Sequence, residues 1–421
     1  MKIRQILTPA LLAGCIMVTG SAAFPVNGYS AQTKKVVNAD VTSKLEMLGQ
    51  PFTNEPYARN VWDMQVFDGK IYLGHGNSSN DGPSPNAGPV PIIYYDPQTG
   101  KFVTQKVVAT NAKTGKQETR SVTDDEQIDT FKIFQNKLYI PGNDSVIPGW
   151  QYGNYYELSG DHWNEYQNLP GGIHVYDMAY YQGKLFAAIG TEDTPRVLMS
   201  GDNGKTWKEF AKIDGLGSRT YKFFQFKGML YASAIIIPEN KTWDDETHLL
   251  AIDKDLNIHQ QKVTGKTLLP GMTFVAKPGS SPYKKISKTV VLNNQLVYIA
   301  GELYNDSQIM PESLIAAKSI NNARAVQLPD RSARPTDMIV RGKMLYVLTY
   351  TKQADGSYIN RVYQTRNLNK WQEVLTFKQD TYAKSLEEYK GDFYFGLGTD
   401  TEPLSESAGK ILRIQAADLP K

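Results

Sequence analysis

One cysteine, Cys15, occurs in 421 residues, so no disulfide can form within the chain and packing must supply its stability. Five histidines are present, none in a His-x-x-x-His or similar close spacing, so no metal ligand set is expected. There is no G-x-S-x-G elbow, no Walker loop and no dinucleotide fingerprint between a strand and a helix, so no cofactor is expected. The 46 Lys plus Arg nearly balance the 43 Asp plus Glu, which argues against a nucleic-acid partner. After the first two dozen residues no apolar run approaches the roughly 18 residues of a membrane span. Helical periodicity is almost absent.

At the start, Lys2 and Arg4 precede an apolar stretch from Ile6 to Val18, which ends in the small residues Ser21, Ala22 and Ala23. This reads as a secretory signal peptide over residues 1–23, giving an exported protein, periplasmic or secreted. Cys15 stands in "LLAGC", which resembles a bacterial lipobox; the continuing "IMV" suits ordinary cleavage after Ala23. Both readings stay open, and membrane contact is expected only through a lipid on Cys15. Residues 24–44 read as a linker and 45–421 as one body.

That body is repetitive. "VFDGKIYLGHG" at 66 has counterparts in "IFQNKLYIPGN", "YYQGKLFAAIG", "QFKGMLYASA", "VLNNQLVYIAG", "IVRGKMLYVLT" and "EYKGDFYFGLG". Their turn residues Gly69, Asn136, Gly183, Gly228, Asn294, Gly342 and Gly391 lie 67, 47, 45, 66, 48 and 49 residues apart. Gly or Asn at each turn is what a two-residue hairpin needs, because its primed turn requires positive φ. A second hairpin follows most copies, for instance "RVLMSGDNGKTWKEF" at 196. Two hairpins per repeat, seven times, predict an all-β fold: a seven-bladed β-propeller of four-stranded antiparallel blades. The last copy is one strand short, and "LEMLGQPF" from Leu45 is the segment expected to close the ring.

Within the third repeat, "SGDNGKTW" (200–207) resembles the Asp-box, S-x-D-x-G-x-T-W, of the sialidase-like propellers, with weaker echoes around Trp163 and Trp371. The resemblance implies a propeller in which Asp202 braces the turn between outer strands, away from any ligand. Sialidases usually have six blades and carry an F-R-I-P stretch, which is absent, so their catalytic residues are not carried over.

In a propeller the loops leading into each innermost strand and those leaving the second strand share one face, here called the top, around the channel mouth. The inbound segments place Arg59, Asp129, His174, Arg219, Lys285, Arg334 and Lys384 there; the outbound loops add His75, Trp243, Tyr304 and Tyr350. Arg59, Arg219 and Arg334 are expected to read an anionic ligand through their planar forks. Asp63, Asp177 and Asp337 recur at one repeat position in "DM" pairs, which points to a hydrogen bond of the fold as readily as to chemistry. The candidate ligand-binding set is therefore Arg59, Asp63, His75, Asp129, His174, Asp177, Arg219 and Arg334. It suits a binding module for a glycan or an envelope protein, a sialidase-like glycoside hydrolase using Asp63, Asp129 or Asp177, or an assembly scaffold.

Overall fold

A computed structural model describes residues 39–79, 83–110, 116–145, 152–172, 174–191, 195–213, 219–234, 249–261, 263–270, 283–304, 308–400 and 403–420. The chain divides into a unit Met1–Val37, outside the described residues together with the signal segment and Cys15, and a unit Asn38–Lys421.

The second unit is built on the hairpins. In six of the seven repeats both turn residues have positive φ, as at Asp68 (47°) and Gly69 (74°), or Asn293 (48°) and Asn294 (60°). These are type I′ turns, whose twist matches that of the flanking strands. The sixth repeat differs: its turn is Gly342–Lys343, with only Gly342 (59°) in the left-handed region, the signature of type II′.

Each hairpin supplies the two inner strands of a blade. The innermost strands are Asp63–Phe67, Lys132–Phe134, His174–Tyr181, Thr220–Phe226, Tyr283–Leu292, Arg334–Arg341 and Tyr382–Tyr389. Blades three to six each complete a four-stranded antiparallel sheet in chain order. The seventh takes its outermost strand from the start of the unit: Glu46–Gly49 pairs antiparallel with Ile411–Ile414. Order begins before Leu45, since the Ala39 carbonyl accepts from Thr376 N at 2.7 Å and Val41 N donates to Thr376 O at 2.9 Å.

The first two blades are joined at their outer edges. Lys101–Thr110 pairs in parallel with His162–Pro170, and Gln117–Arg120, from the insertion after the first repeat, folds back on the same strand. Seven apolar clusters pack among the described residues, one between each pair of adjacent blades. The cluster across the closure, with Val61, Ile71, Tyr394 and Ile411, is as deeply buried as the rest. Burial at about 25 cal/mol per Å² of apolar surface therefore stabilises the closing interface as it does the others.

The Asp-box turn joins Arg196–Ser200 to Lys208–Lys212. Asp202 accepts from Thr206 N (2.9 Å) and Thr206 Oγ1 (2.6 Å), and Gly204 N donates to Ser200 Oγ at 2.8 Å. The echo at 365–371 repeats this geometry with other residues: Leu368 N donates to Thr365 Oγ1, and Lys370 N to Asn367 Oδ1, both at 2.9 Å.

Candidate functional site

The site is framed by the seven innermost strands. At one repeat position, the same distance before each hairpin turn, stand Asp63, Thr130, Asp177, Lys222, Lys288, Asp337 and Ser385. In blades three, four, six and seven a register shift falls immediately before this position, and in blade five the shift spans it. Such a bulge re-aims the side chains around it.

The three aspartates fasten each blade to the next. Asp63 Oδ2 accepts from Phe131 N, Asp177 Oδ2 from Phe223 N and Asp337 Oδ2 from Leu386 N, each at 2.9 Å. All three carboxylates also meet lysines. Asp177 lies 2.6 Å from Lys132 and 3.5 Å from Lys222; Lys288, from the fifth blade, lies 2.6 Å from Asp63 of the first and 3.5 Å from Asp337 of the sixth. Burial alone would depress the Lys288 amine, but the Asp337 and Asp63 carboxylates outweigh it and hold it above the usual lysine value. Lys222 goes the other way: burial, opposed by Asp177, brings it down to about 8. Thus the recurring aspartates hold the fold, with a band of alternating charge across the axis.

Above this band, buried polar side chains gather where the first three blades meet: Asn77, Asp124, Asp125, Gln127, Asn143 and Asn154. Buried polar groups must be bonded, so such density marks a built structure. The segment around Glu126 lies between the outbound loops of blades one and two: Asn77 N donates to Glu126 O and Glu126 N to Asp144 O, both at 3.0 Å. Beneath it Asp125 accepts from Asp144 N (3.0 Å), Asn154 Nδ2 (2.8 Å) and Tyr156 Oη (2.6 Å). Burial, against those bonds, pushes the Asp125 carboxyl up to about 7. Glu165 is pushed up to about 9 by burial and the Asp124 charge, opposed by Arg120.

His174 opens the third inner strand and stands on this platform. Its Nδ1 lies 3.0 Å from Asn143 O and 3.3 Å from Asp144 Oδ1. Both partners only accept, so Nδ1 carries a proton, and in the neutral ring Nε2 holds the lone pair. The ring stacks on Tyr176 (centroids 5.3 Å apart), Tyr176 on Tyr221 (4.8 Å), and the Arg219 guanidinium lies 5.9 Å from the Tyr176 centroid. Tyr176 and Tyr221 are the bulged residues of adjacent inner strands, and both rings are partly exposed. Burial, with the Asp129 charge nearby, pushes the Tyr221 hydroxyl well above its usual value. Asp129 accepts from Gln127 Nε2. Burial raises the Glu126 carboxyl; Asn86, which donates to it at 2.5 Å, opposes this, while the Asp144 charge adds to it.

Of the expected set, Asp129, His174 and Arg219 come together here, with Asp177 in the band below. Asp63 belongs to the band too. His75 is fully buried: Nε2 lies 2.9 Å from Pro91 O, the ring packs 4.2 Å from Phe52, and burial lowers its pKa to about 4. It is a neutral strut rather than a rim group. The three arginines meet different neighbours. Arg59 pairs with Glu406 at 2.7 Å, Arg219 lies over Tyr176, and Arg334 is exposed at the start of the sixth inner strand, opposite Tyr350. Each sits with neighbours of its own because the blades that carry them are separated around the ring. Trp243 and the side chains of Lys285 and Tyr304 lie outside the described residues.

Sequence reasoning passed over Glu126, Asn143, Asp144, Tyr176 and Tyr221. The tyrosines left a signal, at matched offsets in "HVYDM" and "RTYKF". Asn143 ends the quoted copy "IFQNKLYIPGN", at a position where the other copies carry different residues, and Glu126 and Asp144 come from loops whose residues do not recur.

The class is thus a seven-bladed β-propeller whose mouth bears an aromatic and acid–base cluster on the side of blades two to four. No family model matches the chain, and no curated protein matches it. Among solved structures it is similar to a catalytically inactive virginiamycin B lyase from Staphylococcus aureus with quinupristin, at TM-score 0.50 and 14% identity over 90% of this chain and 99% of that one. It is also similar to the polysaccharide lyase Uly1 (TM-score 0.48, 14% identity, 88% and 93% covered) and to a chain of the mitotic checkpoint complex (0.47, 9%, 94% and 99%). Identities this low show the propeller fold alone.

Proposed function

We propose that the chain is an exported propeller that binds an acidic glycan at its top-face mouth, over blades two to four. The observation that carries this reading is the partly exposed stack His174–Tyr176–Tyr221 with the Arg219 guanidinium on the same ring. Aromatic faces bury the apolar face of a sugar ring, and a guanidinium answers a carboxylate. The hydrolase reading with Asp63 and Asp177 as acid and base has less support, since both carboxylates are tied to backbone N–H groups and lysines.

A glycan array followed by titration calorimetry tests the reading. Tyr176→Ala should weaken binding of every ligand found. Arg219→Ala should weaken acidic ligands alone, by about 1.5–3 kcal/mol, the range of a charge-assisted hydrogen bond. Unchanged affinity in both variants would move the site elsewhere.

A further inference from the structure

We propose that this mouth is also a catalytic centre, in which His174 Nε2 acts as base and Glu126 as acid to cleave a uronate-containing glycan by elimination. The inference rests on the binding reading above, because the ligand carboxylate is what Arg219 would hold.

Three features of the cluster lead there. First, Asn143 O and Asp144 Oδ1 fix the His174 proton on Nδ1, while Nε2 has no protein partner among the described residues. That tautomer leaves Nε2 as the acceptor of the ring, with the Asp144 carboxylate 3.3 Å from Nδ1 on the opposite side. His75 shows what a purely structural histidine does here: it spends Nε2 on Pro91 O and buries Nδ1. Second, Glu126 is one backbone hydrogen bond from Asp144, and burial together with the Asp144 charge favours its protonated form. Third, Asn143, whose backbone carbonyl holds His174, keeps its own Oδ1 buried without a hydrogen-bond partner among the described residues, so this corner of the cluster carries an unsatisfied acceptor.

The step balances without water or cofactor. The proton on C5, next to the uronate carboxylate, moves to His174 Nε2. The C5–H electron pair becomes the C4=C5 double bond, and the C4–O bond breaks with its pair on the leaving oxygen. That oxygen takes the Glu126 proton and departs as a hydroxyl. Arg219 neutralises the carboxylate while negative charge builds on it, the moment at which fixed positive charge counts most. The imidazolium then gives its proton to solvent and Glu126 regains one.

The experiment incubates the full chain with polygalacturonate, alginate and hyaluronan, follows the ultraviolet absorbance of the conjugated double bond, and measures binding of the same polymers in parallel. Turnover of at least one polymer is expected, falling by about a hundredfold or more in His174→Ala and in Glu126→Gln, in line with the usual size of acid–base contributions. Binding should persist in Glu126→Gln, and Asp202→Ala should cleave like the parent. If His174→Ala melts early, His174→Gln, whose amide can still donate to Asn143 O, replaces it. A polymer that binds but is never cleaved overturns the catalytic inference and leaves the binding reading intact, as does full turnover by the His174 variants. Failure to bind any of the three overturns both.

Discussion

Two histidines stand at the top of neighbouring parts of one ring and have opposite fates. His75, on the first blade, is sealed against Phe52 and Pro91 and stays neutral. His174, on the third, is tied at Nδ1 alone. The contrast extends to their surroundings. At the closure of the ring, Lys384 occupies the bulge position, 4.1 Å from the Trp62 ring centre, 3.1 Å from Asp400 and 3.2 Å from the Tyr382 hydroxyl, while Arg59 is answered by Glu406. On the third and fourth blades the same bulge position holds Tyr176 and Tyr221, which lean on each other and are half-buried. Closing the ring draws charged groups into mutual pairs. Away from the closure the same backbone device builds an aromatic stack.

The comparison breaks most severely at the axis, on which both sides depend. Asp177→Ala should cost about 3–5 kcal/mol in denaturant unfolding, because it strands Lys132 and Lys222 without their carboxylate and removes the acceptor for Phe223 N. A loss under about 1 kcal/mol would mean that the band of charge is incidental. Next in size, Lys384→Met should destabilise by about 2–4 kcal/mol by leaving Asp400 buried and unpaired, while ligand binding over blades two to four stays at the parent level. Weakened binding would show that the two sides are coupled.

The pH dependence sharpens the contrast between the histidines. The folded-state value of His75 lies near 4 against an ordinary 6.5, so the unfolded chain takes up the proton first. Stability is therefore complete above the ordinary value and drains away as pH falls towards the folded one, by about 2 kcal/mol near pH 5. Thermal melts from neutral to acid should show this limb, and His75→Gln should flatten it; an unchanged limb would assign it to other groups. Asp202 should give the smallest effect. Its carboxyl is held down to about 2, first by the Thr206 hydroxyl and backbone bonds. Its contribution is present above the ordinary aspartate value and disappears as pH falls through the folded one, so Asp202→Ala should melt slightly early at neutral pH and converge with the parent in strong acid. Equal melting at every pH would mean that the turn braces nothing.

The ring was legible in the sequence because its commonest turn admits few residues. Positive φ twice in succession selects Gly and Asn, and Gly69, Asn136 and Asn294 could be found by eye. The closing strand followed from one missing partner. Recurrence of Asp63, Asp177 and Asp337 was visible too, but their reach to the next blade was not, since a carboxylate reads alike whether it meets an amide, a lysine or a ligand. The partner of Arg59 was hidden for a related reason: Glu406 lies 347 positions away, so no local pattern announces the pair. Glu126 and Asp144 were hidden because repeats expose what recurs, and these two occur once.

The closing strand also sets a schedule. Glu46 meets its partner Arg413 across 367 residues of chain. At a synthesis rate of about 5–20 residues per second, Glu46–Gly49 must remain unpaired for about 20–70 seconds while six blades are made. Throughout that time the growing protein offers two raw sheet edges to its neighbours, and only the arrival of Ile411–Ile414 removes them both. A ribosome stalled anywhere in the last repeat would thus leave a nearly finished product with its stickiest surfaces still bare.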